Sequence, residues 1–423
     1  MKKDRRVFIF ILLASVAILL VSETCFRAVW KMRYHWPIVE NYKAMMESAQ
    51  KYRFNEDLGI IVPLAGATIA HATPEYSDVY RINSINGVGF FDDGLDANKP
   101  LKVFVLGDSF TRGVGSKDNL RYGWVELAER GLDSVDLVNV GQSGAGQVTQ
   151  FAYYDKLKGV FDHQLVILNL FTGGDFDDNL YKYADWNGYF ARLPQGVDKN
   201  GYLADLLTSF NYRISTHYIA YSPVRLYTVW ATLMVYEKLI SKYPPFSRFA
   251  KINKEYTIAM EHDEKEREPE SVKSLQPTEF VEENSSDGRF VFSYDPRLYR
   301  KSDQRTADRI ARHTADIVND FSRSMTKEGK RFLLIIHPGK EEVYLYKDKG
   351  DAYDFDYTRE RFKSYLDRDI QVFDMTAPLR GKAEKDKETL YYRVDGHYTQ
   401  AGHQAVADLV REYLAESGIQ DER

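Results

Sequence analysis

The sequence is poor in the residues that build a disulfide framework or a nucleic-acid surface. Its 423 residues include one cysteine, Cys25, so the chain cannot form an internal disulfide. This single cysteine leaves the redox compartment open. Lys and Arg total 57 against 62 acidic residues, and no basic stripe is long enough to indicate nucleic-acid binding. No internal repeat is present, and the net charge of −5 predicts no nucleic-acid partner.

The overall composition is that of a globular protein. Apolar residues make up 44% of the chain and charged residues 28%. A chain of 423 residues can bury one large core or two modest ones. The 30 tyrosines suit a surface that handles sugars or lies near a membrane, although tyrosine is also an ordinary core residue.

The N-terminus carries the localisation signal. Four basic residues, Lys2, Lys3, Arg5 and Arg6, precede an uninterrupted apolar run over residues 7–22. This run is somewhat shorter than the ~20 residues that span a bilayer. A cleaved signal peptide is one interpretation, but Ser22-Glu23-Thr24 is a poor cleavage site.

The favoured interpretation is an uncleaved single-pass anchor in the inner membrane. Trp30, Tyr34 and Trp36 would then lie at the interface, and Phe26 and Val29 would lengthen the span. The positive-inside rule places the residues after ~35 on the periplasmic or exterior side.

The predicted domain organisation has three parts. Residues 1–35 form the cytoplasmic tip and transmembrane anchor, and residues 36–100 form a stalk and entry segment. Residues 101–423 form one domain with an insertion at about 180–300. Inside the insertion, a helix is expected near residues 224–243. The charge run over residues 261–270 has no apolar period and is interpreted as a solvated loop.

Strand and helix signals alternate through the rest of the chain, which predicts an α/β fold. Short apolar runs predict buried strands over residues 103–109, 135–140, 165–171, 331–336 and 370–373. Helical periodicity predicts helices over residues 122–131, 147–158, 304–325 and 401–415. Strands separated by helices indicate a parallel sheet that is sandwiched by helices.

Polar residues with catalytic potential follow several of these strands. Ser109 ends the first strand, at the sheet edge where ligands bind in open α/β sheets. Near the C-terminus, Asp395 precedes His397 by two residues, so the carboxylate can orient the imidazole and leave its other nitrogen to take the serine proton. Backbone N–H groups of Ser109 and of the glycine-rich turn at Gly144 can stabilise an oxyanion.

These motifs resemble those of the SGNH/GDSL hydrolase superfamily over roughly residues 80–180 and 300–415. Gly107-Asp108-Ser109-Phe110 resembles its first block, residues 139–144 its second, and Asp395-Gly396-His397 its last. The resemblance implies an SGNH, flavodoxin-like three-layer fold with Ser109, Asp395 and His397 as catalytic triad. The Asp-x-His spacing and the segment 337–344 resemble the branch that includes bacterial periplasmic proteins acetylating exopolysaccharides.

The third block departs from the family pattern. The family has Gly-Asn-Asp there, and its asparagine side chain completes the oxyanion hole, whereas this chain reads Gly173-Gly174-Asp175. Gly174 therefore occupies the oxyanion position without the side chain, and losing one such donor typically costs about 10²–10³ in rate. Asn169 should point to the other face of its strand, and Asn179 lies beyond the strand.

Other polar residues near these strand ends have ordinary interpretations. Ser143 is expected to be a turn residue, His403 to pack or cap within the last helix, and His337 to line the pocket or pack in the core. The acidic residues Asp175, Asp177 and Asp178 have no accompanying histidine, so no metal is predicted. No cofactor is predicted either.

Two functions are compatible with this sequence. The first is a membrane-anchored extracytoplasmic serine esterase or O-acyltransferase acting on acyl esters, in particular acetyl esters, of cell-envelope polysaccharide. Its partners would be an acylated carbohydrate or small ester, the inner membrane through residues 7–22, and a membrane protein. The second is a weakly active or inactive binding or scaffold protein of the same fold, which Gly174 favours.

Overall fold

The computed structural model describes most of the chain. The described residues are 2–34, 52–73, 75–180, 186–211, 218, 222, 226–240, 243, 246–267, 272, 274–275, 280–347, 349–385 and 389–419. Of the predicted stalk and entry segment, residues 36–51 and 74 lie outside this set. So do the side chains of residues 2–12, although their backbone is described.

The strands of the described chain are short and apolar. In chain order they are β1 Tyr52–Asn55, β2 Ile60–Pro63, β3 Thr68–Ala72, β4 Ser77–Arg81, β5 Asn83–Ile85, β6 Val88–Phe90, β7 Leu101–Leu106, β8 Val135–Asn139, β9 Leu165–Phe171, β10 Val281–Asn284, β11 Val291–Tyr294, β12 Arg331–His337 and β13 Gln371–Asp374.

The helices vary from single turns to 33 residues. In chain order they are α1 Lys2–Tyr34, α2 Ser109–Arg112, α3 Asn119–Tyr122, α4 Trp124–Glu129, α5 Gln147–Leu157, α6 Asp175–Asp178, α7 Trp186–Arg192, α8 Lys199–Asn211, α9 Tyr227–Ile240, α10 Phe246–Arg267, α11 Gln304–Lys327, α12 Lys340–Tyr344, α13 Tyr357–Tyr365, α14 Thr376–Lys385 and α15 Gln400–Glu416.

The largest sheet among the described residues has five parallel strands. Its strand order is β13-β12-β9-β7-β8, and every pairing is parallel. In order along the chain this is the flavodoxin-like 2-1-3-4-5 arrangement, whose switch point lies between its first and third strands. The carboxyl ends of β7 and β9 therefore flank the crevice where such sheets bind ligands.

Both faces of this sheet are buried, which explains why its strands read as continuous apolar runs. Phe104, Val166 and Leu334 point into one core, which α5 and α11 cover. Val103 and Leu333 point into the second core, which α4 and α15 cover. The predicted α/β sandwich with a central parallel sheet is confirmed.

One local prediction is wrong. The charge run interpreted above as a solvated loop is helical as far as Arg267, because α10 extends through Phe246–Arg267. Lys and Glu are good helix formers even where no apolar stripe is present, so propensity outweighs the missing period. Ion pairs with helical spacing, such as Lys251 with Glu255, support the same helix.

The chain divides into two compact units. One contains Met1–Gln50, Ile69–Ser77 and Asn200–Thr257, and the other contains Lys51–Thr68, Asp78–Lys199 and Ile258–Arg423. In the first unit, the buried Glu23 of α1 accepts hydrogen bonds from the backbone N–H groups of Tyr227 and Thr228, both at 2.9 Å, at the start of α9.

The transmembrane anchor is not supported by the structure. Among the residues open to this test, no helix combines the length and the apolar character that crossing a membrane requires. The predicted run over residues 7–22 falls partly on side chains outside the described set.

Candidate active site

The nucleophile turn follows β7 directly. At Gly107 the backbone passes close to the Thr111 side chain, which requires glycine, because a Cβ there would lie 1.9 Å from the Thr111 hydroxyl oxygen. Asp108 then caps α2 by accepting a hydrogen bond from the Phe110 N–H at 2.9 Å. Ser109 is the first residue of α2, where a backbone N–H has no partner within the helix. The turn thus presents the Ser109 hydroxyl and N–H together at the sheet edge.

The structure brings Ser109, His397 and Asp395 into one hydrogen-bonded chain. The His397 Nε2 lies 2.7 Å from the Ser109 Oγ, and its Nδ1 lies 2.5 Å from the Asp395 Oδ1. The same carboxylate oxygen accepts the His397 backbone N–H at 2.9 Å. This is the geometry in which the histidine can take a serine proton while the aspartate holds its tautomer.

Aromatic packing fixes the plane of the His397 ring. Phe110 stacks on this imidazole at 4.9 Å between centroids, and Phe171 stacks on Phe110 at 3.9 Å. The Phe110 ring therefore supports the candidate base.

Lys340 holds the loop that carries Asp395 and His397. This role of the lysine was not identified from the sequence. Its buried ammonium donates to four consecutive backbone carbonyls at 3.1–3.3 Å, those of Tyr392, Arg393, Val394 and Asp395. The available signal was the motif around it, since Lys340 belongs to the segment 337–344 that resembles the polysaccharide-acetylating branch.

The second block forms a turn against the nucleophile helix. The Asn139 side chain accepts the Gly141 N–H at 3.0 Å and donates to the Thr111 carbonyl at 2.9 Å. Gly144 has a φ of 70°, a conformation that favours glycine. Ser143, expected to be a turn residue, accepts a hydrogen bond from Arg112 at 3.2 Å. The role of Gly144 as an oxyanion donor stays a prediction.

The third block has no side chain at the position of the family asparagine. The Gly174 N–H donates to the Phe171 carbonyl at 3.3 Å, so this N–H is already engaged. A Cβ at Gly174 would lie 3.3 Å from the Phe171 ring and 3.9 Å from the Asp178 Oδ2. The space that an asparagine side chain would enter is therefore bordered by the Asp178 carboxyl group.

The two asparagines nearest to this gap have other partners. Asn169 is buried, donates to the Leu106 carbonyl at 2.6 Å, and lies 2.9 Å from the His337 Nε2. Asn179 accepts the Gln147 N–H at 2.8 Å and so caps α5. Neither side chain is available as a replacement for the lost oxyanion donor.

Carboxyl groups crowd the end of β9, and burial raises their pKa values. Asp175 is fully buried and accepts hydrogen bonds from the Gln147 side chain at 2.6 Å and the Phe171 N–H at 3.0 Å. Burial and the charge of Asp108 raise its pKa well above the ordinary value. Burial raises the pKa of Asp108 to about 6, and burial together with Asp108 raises that of Asp178 to about 7.

The other two histidines singled out by the sequence lie in the core. His337 is fully buried between Asn169 and Tyr398, and burial lowers its pKa to about 3. His403 is equally buried, lies 3.0 Å from the Val114 carbonyl through its Nε2, and has its pKa lowered to about 4 by burial. Both are neutral packing residues, and neither contacts Ser109 among the described contacts.

The prediction of no metal concerned the acidic residues after β9 and stays a prediction. Elsewhere in the described part of the chain, the carboxyl groups of Asp92, Asp93 and Glu126 have oxygens within 4.8 Å of one another. Both Asp92 oxygens accept backbone N–H groups, those of Gly94 and Asn139. This group therefore has a structural task in supporting the end of β8.

Comparison with known families agrees with the motifs. Residues 295–423 match the family model described as the SGNH hydrolase-like domain of acetyltransferase AlgX. None of the curated protein sequences matches the chain. The predicted resemblance to SGNH hydrolases, with the polysaccharide O-acetylation branch, is confirmed.

Solved structures of low similarity include three carbohydrate esterases. The acetyl xylan esterase AlAXEase is 13% identical, with a TM-score of 0.35, and the match covers 74% of this chain and all of the other. A carbohydrate esterase family 2 enzyme with a carbohydrate-binding domain, from Corynascus thermopiles (Myceliophthora fergusii), is 12% identical with a TM-score of 0.33, covering 78% and 70%. The acetyl xylan esterase Est2A from the rumen bacterium Butyrivibrio proteoclasticus is 12% identical with a TM-score of 0.31, covering 77% and 65%. These TM-scores are too low to bear on the function of this chain.

Proposed function

We propose that this chain, which carries an SGNH hydrolase-like domain, is a serine esterase or O-acyltransferase acting on acetyl esters of polysaccharide. The observation that carries the proposal is the hydrogen-bonded chain from Ser109 through His397 to Asp395, with a Ser109–His397 distance of 2.7 Å. A serine with only a capping role has no need of an oriented base within reach.

In the proposed reaction the Ser109 hydroxyl attacks the acyl carbonyl and His397 takes its proton. Asp395 stabilises the resulting imidazolium, which then protonates the departing alcohol oxygen. Water or a sugar hydroxyl next attacks the acyl-enzyme, with His397 again as base. Hydrolysis and transfer share every residue of this site, so the acceptor decides between them.

The decisive experiment measures release of p-nitrophenol from p-nitrophenyl acetate by the full chain and by two variants. Ser109→Ala is expected to lose at least about 10⁴-fold in kcat, because the nucleophile is gone. Ser143→Ala is the matched control, since this serine lies in the neighbouring turn without contacting His397 among the described contacts, and it should keep the activity. Equal activity of wild type and Ser109→Ala would disprove the proposal.

The second candidate, a binding or scaffold protein, is favoured by one observation. Position 174 lacks the side chain of the family asparagine, and its backbone N–H is engaged by Phe171. Binding of acetylated polysaccharide by the wild type, without turnover of any acetyl ester, would select this alternative.

We also propose, from the sequence, that residues 7–22 anchor the chain in the inner membrane with the catalytic domain on the periplasmic side. The basic residues before the apolar run support this orientation. Extraction of isolated membranes with alkaline carbonate tests the anchor. Release of the chain into the soluble fraction would contradict it.

A further inference from the structure

The gap at Gly174 lies beside the carboxyl group of Asp178. The Asp178 Oδ2 lies 3.9 Å from the position of a Cβ at Gly174. Its own Cβ would be 3.0 Å from a Cβ at Gly146, so two glycines leave room around this one side chain. Within the described part of the chain, the Asp178 carboxyl group has no hydrogen bond or ion pair, unlike those of Asp175 and Asp177.

We propose that Asp178, in its protonated form, donates to the oxyanion the hydrogen bond that the asparagine side chain of the family would supply from position 174. The inference rests on the proposed esterase or acyltransferase function and assigns one more residue to that site. The amide nitrogen of an asparagine lies two bonds from its Cβ. The Asp178 Oδ2, 3.9 Å from the position of that Cβ, borders the space that the amide would enter, and the proposal requires its proton to point into that space.

The environment of Asp178 favours the protonated form that donation requires. An ionised carboxylate would repel the oxyanion, whereas a neutral carboxylic acid can donate to it. The groups that face Asp178 are mostly acidic: Asp108 in the nucleophile turn, and Asp175 and Asp177 on its own helix. Burial raises the pKa of Asp178 to about 7, and the charge of Asp108 contributes to this rise.

The basic side chains around α6 contact other partners. Arg297 forms its close ion pair with Asp295 and lies 4.0 Å from Asp177. The His313 Nε2 lies 3.2 Å from the Asn179 carbonyl oxygen, and His397 interacts electrostatically with Asp108. None of these side chains is paired with Asp178 among the described contacts.

The step balances without a co-reactant. The Ser109 oxygen forms a bond to the acyl carbon, and the electron pair of the C=O bond moves onto its oxygen. The serine proton goes to His397, while Asp178 keeps its proton and shares it with the oxyanion through a hydrogen bond. When the intermediate collapses, the alcohol leaves with the proton from His397, and the Asp178 hydrogen bond returns to its ground-state strength.

The test compares Asp178→Ala and Asp178→Asn by kcat/KM for p-nitrophenyl acetate across pH 5–9, with Ser109→Ala in parallel. Asp178→Ala is expected to lose about 10²–10³-fold, the usual cost of one oxyanion donor. Asparagine can donate but cannot ionise, so Asp178→Asn should stay within about tenfold of wild type at pH 6. It should also lack the fall in activity above about pH 7 that deprotonation of Asp178 causes in wild type.

The second part of the test restores the family's asparagine side chain at position 174. Gly174 has φ −144° and ψ −43°, so an asparagine meets no left-handed strain there, although the Phe171 ring at 3.3 Å must yield slightly. The double variant Asp178→Ala with Gly174→Asn should regain at least tenfold over Asp178→Ala alone. Asp316→Asn, an exposed aspartate on α11, is the matched control and should behave as wild type.

The outcomes separate this inference from the function on which it rests. If Ser109→Ala abolishes turnover while Asp178→Ala keeps wild-type kcat/KM, the inference is wrong and the esterase function stands. The inference is equally wrong if Asp178→Asn retains the alkaline fall of wild type. If the wild type itself does not turn over, or Ser109→Ala remains equally active, the proposed function fails and the inference fails with it.

Discussion

The carboxyl ends of β7 and β9 lie side by side in the sheet, and they differ in how completely their polar groups are partnered. After β7, the Ser109 hydroxyl has His397 at 2.7 Å, and His397 in turn has Asp395 at 2.5 Å. After β9, position 174 has no side chain, and the carboxyl group of Asp178 has no hydrogen-bond partner among the described residues.

This difference separates two requirements of acyl transfer that are usually discussed together. Proton transfer needs an oriented base. The group formed by Ser109, His397 and Asp395, here called the β7 side, supplies one with a fixed tautomer. Stabilisation of the developing charge needs donors aimed at the oxyanion, and it is commonly the largest single contribution. In this chain the first requirement is met by hydrogen bonds already formed. Under our proposal the second depends on backbone N–H groups and on the protonation of Asp178, which is partly buried.

The largest effect is expected at the β7 side, from Asp395→Asn. An asparagine presents its NH₂ group or its carbonyl to Nδ1 without the charge that stabilises the imidazolium, so kcat should fall about 10⁴-fold. The measurement is kcat for p-nitrophenyl acetate at pH 7.5. Asp369→Asn, an exposed aspartate before β13, is the control and should leave kcat unchanged. If Asp395→Asn keeps more than a tenth of the activity, some other group orients His397.

The next effect concerns stability around residues 172–178, which follow β9 and are here called the β9 side. Arg359 is buried and donates to Glu342 and Asp374, both at 3.0 Å, while Glu342 also accepts the Gly339 N–H at 2.8 Å and a hydrogen bond from the Thr172 hydroxyl just after β9. Arg359→Ala leaves the buried Glu342 carboxylate without its cation, whereas Asp374 keeps Lys363 at 2.7 Å. The loss at Glu342 should lower the free energy of unfolding by about 3–5 kcal/mol.

Urea denaturation of the full chain measures this loss, and Arg323→Ala is the matched control. Arg323 also pairs with two carboxylates, Asp320 and Asp367, but its side chain is 55% exposed. Exposed pairs contribute about 0–1 kcal/mol, so the control should hardly shift the midpoint. Equal losses in both variants would mean that burial does not distinguish the two arginines.

The scaffold and the β7 side could be predicted well from the sequence because their signals are local. Buried parallel strands appear as continuous apolar runs, so the prediction for β9 covers the residues it occupies, 165–171. The pairing of Asp395 with His397 depends on a spacing of two residues, which any sequence displays directly. The glycine turn identified Ser109, but its predicted place at the end of the strand is wrong, since β7 ends at Leu106 and Ser109 begins α2.

The features that could not be predicted from the sequence depend on contacts between distant residues. Lys340 donates to carbonyls 52–55 positions further along the chain, and backbone acceptors leave no mark in a sequence. Asp178 stands in the sequence only as part of an acidic cluster, because its position next to Gly174 and Gly146 follows from the packing of α6. The helix through the charge run escapes prediction because it lacks an apolar period.

Lys340→Met tests how far the β7 side depends on its support, with an intermediate effect expected. Methionine fills the volume but leaves the carbonyls of residues 392–395 without their donor, so the loop carrying His397 should lose its fixed position. A small displacement of a catalytic group can cost about 10²-fold, so we expect a loss of about 10–100-fold in kcat. Because Lys340 acts through the loop, the pH profile should keep its shape.

Two variants make this a test of positioning. Lys340→Arg retains a cation with several donors and should recover part of the kcat, whereas Lys327→Met, at the exposed end of α11, should have no effect. Thermal unfolding of each variant shows whether the chain remains folded at the assay temperature. Unchanged kcat in a folded Lys340→Met variant would show that the loop holds its position without the lysine.

The smallest effect, a pH dependence of stability, examines the β9 side directly. The pKa of Asp178 is near 3.8 when the chain is unfolded and about 7 when it is folded, so between these values the folded state binds the additional proton. Unfolding then releases a proton, and the free energy of unfolding falls as the pH rises from 4 to 7, after which this contribution is constant. Asp178→Asn removes this titration. The fall in the free energy of unfolding between pH 5 and pH 8 should therefore be smaller than in wild type by about 1–3 kcal/mol.

Urea midpoints at pH 5 and pH 8 for wild type, Asp178→Asn and the exposed control Asp316→Asn measure this difference. The control should follow wild type, because an exposed carboxylate is solvated in both states. If Asp178→Asn declines as steeply as wild type, Asp178 is ionised and hydrated in the folded protein. The two strand ends would then differ only in the missing side chain at position 174, and backbone N–H groups alone would have to hold the oxyanion.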